Sequence, residues 1–102
     1  HTEVEFLPMY VDQPLFADVD AYLRAQGFVF HRFAGVKGVP SKTMALPVPE
    51  PPYSQHLWAD AVYVRGLWCE HDLSALSPAQ LLRMALILHE VYTSYDAAQH
   101  VL

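Results

Sequence analysis

Cysteine is nearly absent from this sequence, and basic residues are scarce. The one cysteine, Cys69, excludes an internal disulfide and a cysteine-rich metal site, and it suits the reducing cytoplasm, the location that we predict. The 6 Lys and Arg residues stand against 11 Asp and Glu residues, so the formal net charge is -5, and no basic run occurs. We therefore expect neither nucleic acid nor an anionic membrane as a partner, because both need a positive surface.

Long apolar runs are also missing. Residues 81–88 are the most apolar stretch, but Arg83 interrupts them, and they are far shorter than the roughly 20 residues that span a bilayer. The chain has 102 residues, 53% of them hydrophobic, which is enough for one domain with a core. Because His1 lies directly before a strand pattern, we expect residues 1–102 to be a single partial domain of a longer chain.

Glycine is rare, and its distribution excludes one kind of site. Gly35, Gly38 and Gly66 are scattered, and none both follows a strand pattern and opens a helix, as loops that hold phosphates or nucleosides require. The 6 histidines include no pair at helical spacing with a glutamate between them, so we predict no metal site. Cys69 and His71 could form a nucleophile and base, but side chains so close in sequence rarely face each other.

The first 27 residues have the pattern of a strand, a turn and a helix. Residues 3–7 alternate, which places Val4 and Phe6 on one strand face and the two glutamates on the other. After the turn, apolar residues recur at helical spacing from position 15 to position 23. We predict Pro14 at the first helical position and Gly27 just past the helix end.

Two further strands are predicted. Residues 28–33 are aromatic and β-branched, with Phe28 and Phe30 on one face and Val29, His31 and Phe33 on the other. The predicted helix joins strands one and two, which makes them parallel, with a right-handed crossover. Residues 34–56 are rich in Pro and Gly and predict a long loop, so strand three, residues 57–65, should run antiparallel. We expect the order 1-3-2, with the apolar strand three between the other two.

The last part of the sequence is helical. Residues 66–76 are interpreted as a connector, and residues 77–102 as a terminal helical pair. Ser77 and Gln80 form a capping box with Pro78 at the first helical position. The helix that follows is apolar nearly all round as far as Tyr92, whereas a surface helix would show a narrower apolar stripe. A second, short helix should follow Ser94.

The chain resembles the carboxy-terminal part of FkbM-type methyltransferases, which use S-adenosylmethionine and have a Rossmann-like sheet. The matching stretches cover most of the chain outside the Pro-rich loop. They are Val4-Glu5-Phe6-Leu7-Pro8-Met9-Tyr10, Gln13-Pro14-Leu15-Phe16, Asp20-Ala21-Tyr22-Leu23-Arg24 with Gly27-Phe28, Leu57-Trp58-Ala59-Asp60-Ala61-Val62-Tyr63, and Tyr92-Thr93-Ser94-Tyr95-Asp96. The resemblance implies an α/β fold whose sheet ends in three strands, one of them an inserted antiparallel strand.

The resemblance also implies methyl transfer, but the chain lacks the family's glycine-rich loop and the acidic residue of the next strand. S-adenosylmethionine is therefore expected as cofactor of a full-length parent, and this chain alone should neither bind it nor be active. Catalytic residues are not identified. Tyr10, Asp12 and Gln13 follow strand one at the edge where α/β sheets bind ligands, so they are our candidates for substrate binding.

Two alternatives remain open at this point. Glu3 and Glu5 lie about 7 Å apart on one strand face, a separation that two-carboxylate hydrolases use, although a solvated strand surface is the simpler interpretation. The chain could instead be a non-enzymatic α+β module for protein interaction or oligomerisation. The expected partner is a second copy or a missing amino-terminal domain, with the helices from residue 77 onward in the interface of a homodimer.

Overall fold

The computed structural model describes residues 1–39 and 55–102. The described part is an α/β fold with three strands and four helices. The strands are β1 (Thr2–Glu5), β2 (Phe28–Val39) and β3 (Gln55–Arg65). The helices are α1 (Phe16–Ala25), α2 (Glu70–Ser74), α3 (Pro78–Glu90) and α4 (Tyr95–Val101). None of the described helices is long and apolar enough to cross a bilayer.

The sheet has the order β1-β3-β2, as predicted. β3 pairs antiparallel with both neighbours, so β1 and β2 run parallel to each other on either side of it. Its central position explains its composition, because Ala59, Ala61 and Val62 are all buried. β2 and β3 are longer than predicted and take up both ends of the predicted loop; residues 40–54 of that loop lie outside the described part.

An aromatic cluster joins α1 to one face of the sheet. Val4 is fully buried at its base, as the alternation in β1 predicted. Phe16 from α1 packs against three phenylalanines, with ring centroids 5.6 to 5.8 Å apart. These three are Phe6, Phe30 and Phe33. Since α1 has no fully buried residue, this aromatic layer is what holds it on the sheet.

The predicted faces of β2 are wrong at Phe33. The pairing steps from Phe30 opposite Tyr63 to Arg32 opposite Val62, so His31 is an extra residue in β2. Such a bulge shifts the alternation by one position. Phe33 therefore lies on the same face as Phe30, and their ring centroids are 4.8 Å apart.

The start of α1 also differs from the prediction, whereas its end does not. The N-cap is Leu15, so Pro14 lies just before the helix rather than at its first position. The Asp18 carboxylate accepts a hydrogen bond from the Leu15 N–H at 2.9 Å and so satisfies a helix-start donor. At the other end, Gly27 has φ +88°, the left-handed conformation that glycine adopts without strain.

A second core forms where β3 leads into the helices. Leu67 is buried against Leu88 of α3 and against the small residues Ala97 and Ala98 of α4. The predicted connector contains α2, a helix of five residues that the sequence analysis missed. The capping box at Ser77 is confirmed: its hydroxyl accepts from the Gln80 N–H at 3.2 Å, and the Gln80 side chain accepts from the Ser77 N–H at 2.8 Å.

The helix α3 leaves much of its apolar surface exposed in the described chain. Only Ala85 and Leu88 are buried, whereas Leu82 and Leu86 are each 53% exposed. The apolar residues that made the helix look like an interior element thus form an exposed surface. Such a surface on a small domain typically marks an interaction site.

Candidate functional site

The candidate site begins with the turn after β1. The Gln13 side chain is buried, and its Oε1 accepts a hydrogen bond from the Met9 N–H at 2.6 Å, which closes the turn. Asp12 has φ +58°, a left-handed conformation that aspartate tolerates better than most residues. Two of the predicted site residues are therefore part of the framework of the turn.

A cleft of about 360 Å³ lies between this turn and the polar face of the sheet. Tyr10 and Gln13 line it, and Tyr10 is 67% exposed, which leaves its ring and hydroxyl free for a ligand. The other lining residues are Glu3, Glu5, Met9 and Trp58. Asp12 does not line the cleft, so the structure brings together two of the three predicted residues.

The cleft is acidic. A hydrogen bond with Glu5 raises the pKa of Glu3, and partial desolvation and the charges of Glu5 and Asp60 raise it further. Asp60 lies opposite Glu3 in the β1–β3 register, so three carboxyl groups gather on this face. Carboxylates beside the Trp58 and Tyr10 rings favour a cationic group on a ligand.

The two glutamates that line the cleft also bear on the hydrolase alternative. Paired catalytic carboxylates flank a scissile bond and need about 5 Å or more between them. Glu3 and Glu5 both line the cleft, so the hydrolase alternative stays a hypothesis. Within residues 1–39 and 55–102, no three His, Cys, Asp or Glu side chains gather closely enough to hold a metal ion.

Sequence reasoning missed the contacts that fasten the helices to the sheet. His31 Nε2 lies 2.9 Å from Ser94 Oγ, and the Arg32 guanidinium donates to the Tyr92 carbonyl at 3.0 Å. Burial, with a smaller contribution from the Arg32 charge, lowers the pKa of His31. These pairs are about 60 residues apart in sequence, and the His31 bulge that aims the imidazole has no local sequence signal.

The Cys69 and His71 alternative finds no geometric support. Cys69 is exposed at the N-cap of α2, and His71 Nδ1 instead lies 3.6 Å from Asp72 Oδ1. No hydrogen bond joins the thiol to an imidazole in the described part of the chain. Within the described residues, the thiol therefore lacks the activating base that a nucleophile needs.

No protein-family model matches this chain, and comparisons with curated proteins and with solved structures gave no match. The fold defines it as an α/β protein with a 1-3-2 antiparallel sheet and an acidic, aromatic cleft beside β1.

Proposed function

We propose that the chain is the carboxy-terminal segment of a Rossmann-like methyltransferase of the FkbM type, and that it does not transfer methyl groups alone. The observation that carries the proposal is the strand order β1-β3-β2, in which an antiparallel strand lies between two parallel ones. The helix α1 connects those parallel strands, as a crossover helix does in a doubly wound sheet.

The edge of the sheet supports this proposal. β1 pairs only with β3 among the described strands, so its other edge has free N–H and C=O groups. Val4 in the same strand is fully buried under the aromatic cluster, so β1 is a packed strand with an unpaired edge in the described part of the chain. A further strand of the parent domain would bind along Thr2–Glu5 and satisfy those groups.

The acidic cleft would then lie on the acceptor side of the parent enzyme. It is at the carboxyl end of β1, the sheet edge where α/β proteins bind ligands. Tyr10 and Gln13 would contact the methyl acceptor, and Glu3 and Glu5 would favour an acceptor with a positive charge. Asp12 would act only on the turn conformation.

The residues present do not fit the cofactor. The connection from β1 to α1 contains no glycine, and no described strand is followed by the glycine-rich turn into a helix that lets backbone approach a nucleoside closely. In the proposed parent, S-adenosylmethionine would bind to residues outside this chain.

Calorimetry tests the proposal in two steps. S-adenosylmethionine titrated into this chain should give no binding heat, and stoichiometric binding would contradict our account of the missing site. The second titration uses the chain extended by the sequence that its gene encodes before His1. The extended chain should bind the cofactor; an extension that leaves it unable to bind, or a gene that encodes no such domain, would refute the proposal.

The exposed surface of α3 and α4 favours a second candidate function, as an oligomerisation module. We define the helical patch as Leu82, Leu86, Val91, Tyr95 and Leu102, each more than half exposed. A groove of about 400 Å³ with the small residues Ala85 and Ala98 runs beside it. Large side chains of a second copy would fill that groove, and each half-exposed leucine would contribute about 1 kcal/mol on burial.

Light scattering tests the module hypothesis. The module hypothesis expects a dimer that Leu86→Arg disrupts, whereas Tyr22→Arg on the exposed side of α1 should leave it intact. A monomer at high concentration would refute the dimer. A dimer together with absent cofactor binding in the extended chain would favour the module over the methyltransferase segment.

A further inference from the structure

The helices after β3 form a unit with a core of its own. We call residues 67–102 the helical unit; its core is built around Leu67 and Leu88. The sheet and α1 share a different core, built around Val4 and the aromatic cluster. Gly66, with φ +29°, joins β3 to the helical unit. Two bodies with separate cores that are linked through a glycine can move relative to each other at that residue.

The contact between the helical unit and the sheet is incomplete. Val62 of β3 lies on the sheet face opposite to α1 and is only 2% exposed, so the helical unit is what covers it. Beside it, a cleft of about 420 Å³ lies between Val64 of the sheet and Met84 and Ile87 of α3. Side chains that border such a gap lack part of their dispersion contacts. The helical unit therefore packs less tightly on the sheet than within its own core.

Polar contacts with β2 complete the attachment. His31 Nε2 lies 2.9 Å from Ser94 Oγ, and the Arg32 guanidinium donates to the Tyr92 carbonyl at 3.0 Å. Thr93, between Tyr92 and Ser94, has φ +52°, a strained conformation for a β-branched residue. Strained turns persist only where the surroundings hold them, so this turn depends on β2. We call the His31–Ser94 and Arg32–Tyr92 contacts the latch.

The latch holds an imidazole in a partly buried place beside a positive charge. Among the described residues, the charged groups that act on His31 are Arg32 on its own strand and Asp96 in the first turn of α4. Val62 and Tyr63, which flank the bulge from β3, carry no charge at neutral pH. Burial lowers the pKa of His31 most, the Arg32 charge lowers it further, and Asp96 opposes them with a smaller effect. Separation of the helical unit leaves the imidazole in water, where its pKa is near 6.5, so docking loses free energy as the pH falls through this value.

We propose that the latch is a pH-sensitive device, in which protonation of His31 in mild acid weakens the docking of the helical unit on the sheet. The partly buried site must then hold an imidazolium next to the Arg32 guanidinium, and like charges so close disfavour the docked form. Release exposes Val62 and the apolar cleft while both cores remain folded. This inference goes beyond the proposed function and does not depend on it.

Thiol labelling measures the docking. Val62→Cys places a thiol of similar size under the helical unit, and the native Cys69, which is exposed, is the reference in the same molecule. A covered thiol reacts only when the unit opens, so the ratio of the two labelling rates follows the open fraction, and the common effect of pH on thiolate formation largely cancels. Between about pH 7.5 and about pH 5 this ratio should rise about twofold or more, because each unit of difference in pKa is a factor of ten in the docking equilibrium.

The variant His31→Gln keeps a hydrogen-bonding group opposite Ser94 but does not titrate, so its labelling ratio should not depend on pH. His56→Gln, which removes an imidazole at the start of β3, is the matched control and should keep the rise. The His1 imidazole lies 3.1 Å from the Tyr92 hydroxyl, but it is half exposed to solvent, so His1→Gln should keep the rise too.

Circular dichroism should be the same at both pH values, which separates undocking from unfolding. Methyl NMR of the unmodified chain gives the same test without the added cysteine: the Val62 and Ile87 shifts should move with pH in the parent and not in His31→Gln. A labelling ratio that does not rise in the parent, a rise that persists in His31→Gln, a rise abolished by His56→Gln or His1→Gln, or a rise accompanied by loss of the helical signal would each overturn the inference.

Discussion

Replacing Gly66 by alanine should destabilise the chain more than the same change at Gly27 or Gly35. Gly66 has φ +29°, and a Cβ added to it would overlap the Asp72 side chain, with the Asp72 Cβ as the nearest atom. The overlap cannot be relieved by rotating a side chain, because a Cβ is fixed to its backbone. Gly66 also leads directly into Leu67, which is almost fully buried in the second core.

The expected loss has two parts. A left-handed conformation costs a non-glycine residue about 1–2 kcal/mol, and forcing an extra carbon into a filled space costs about 1–3 kcal/mol more. Gly27, with φ +88° and nothing within 4 Å of an added Cβ, should lose about 1 kcal/mol for conformation alone. Gly35 has neither problem, and alanine there should be neutral or stabilise by up to about 1 kcal/mol.

Urea unfolding of the three variants, followed by circular dichroism, measures these differences. A double variant isolates the overlap: with Asp72→Gly in the background, Gly66→Ala should cost about 1–3 kcal/mol less than in the parent, because the colliding Cβ is gone. A loss at Gly66 no larger than that at Gly27, or no difference between backgrounds, would refute the reasoning.

Three further changes test other contacts. Tyr63→Phe removes a 3.0 Å hydrogen bond to the partly buried Asp20 carboxylate and should cost about 1 kcal/mol in urea unfolding. Burial raises the pKa of Tyr63 from 10.0 to about 12, so the parent should lose stability as the pH rises between these values. The Tyr63→Phe variant should lose less stability over the same range. Equal dependence of stability on alkaline pH in the two proteins would contradict this. Glu3→Gln should stabilise the chain at neutral pH, since a hydrogen bond with Glu5, partial desolvation and neighbouring carboxylates raise the pKa of Glu3. The gain in stability should vanish in acid, where the Glu3 carboxyl of the parent is protonated. A gain that does not depend on pH would be inconsistent with that cause. Ser77→Ala should cost about 1 kcal/mol of stability by removing the α3 cap, and Ser77→Asp should retain most of that stability. Equal thermal stability of the two variants would exclude a capping role for this side chain.

The sequence predicted those features that depend on local pattern or on connection length. The sequence predicted the alternation of Val4 with its glutamate neighbours and the capping box at Ser77. In each of these patterns, the residues involved lie within four positions of one another. The predicted strand order followed from the helix pattern between strands one and two and from the Pro-rich loop pattern between strands two and three, and the observed order agrees with it. These arguments need no knowledge of distant contacts.

The features that were missed depend on distant contacts or on missing neighbours. The face of Phe33 depends on pairing with β3, which introduces the bulge at His31. For α3, apolar residues on every side indicate burial, but the described chain supplies a partner for only one side, so Leu86 remains exposed. In the candidate site, Tyr10 and Gln13 were found from their position after β1, whereas the contribution of Trp58 required the register of β3 against β1.

The bulge at His31 affects which changes in chain length the protein can tolerate. The pairing of Phe30 with Tyr63 and of Arg32 with Val62 would be unchanged if His31 were deleted, since His31 itself opposes no residue. A deletion elsewhere in a regular part of the strand would turn every later side chain to the opposite face. In an evolutionary lineage, single-codon deletions in β2 should therefore be accepted at this position, with loss of the Ser94 contact but with the aromatic cluster intact.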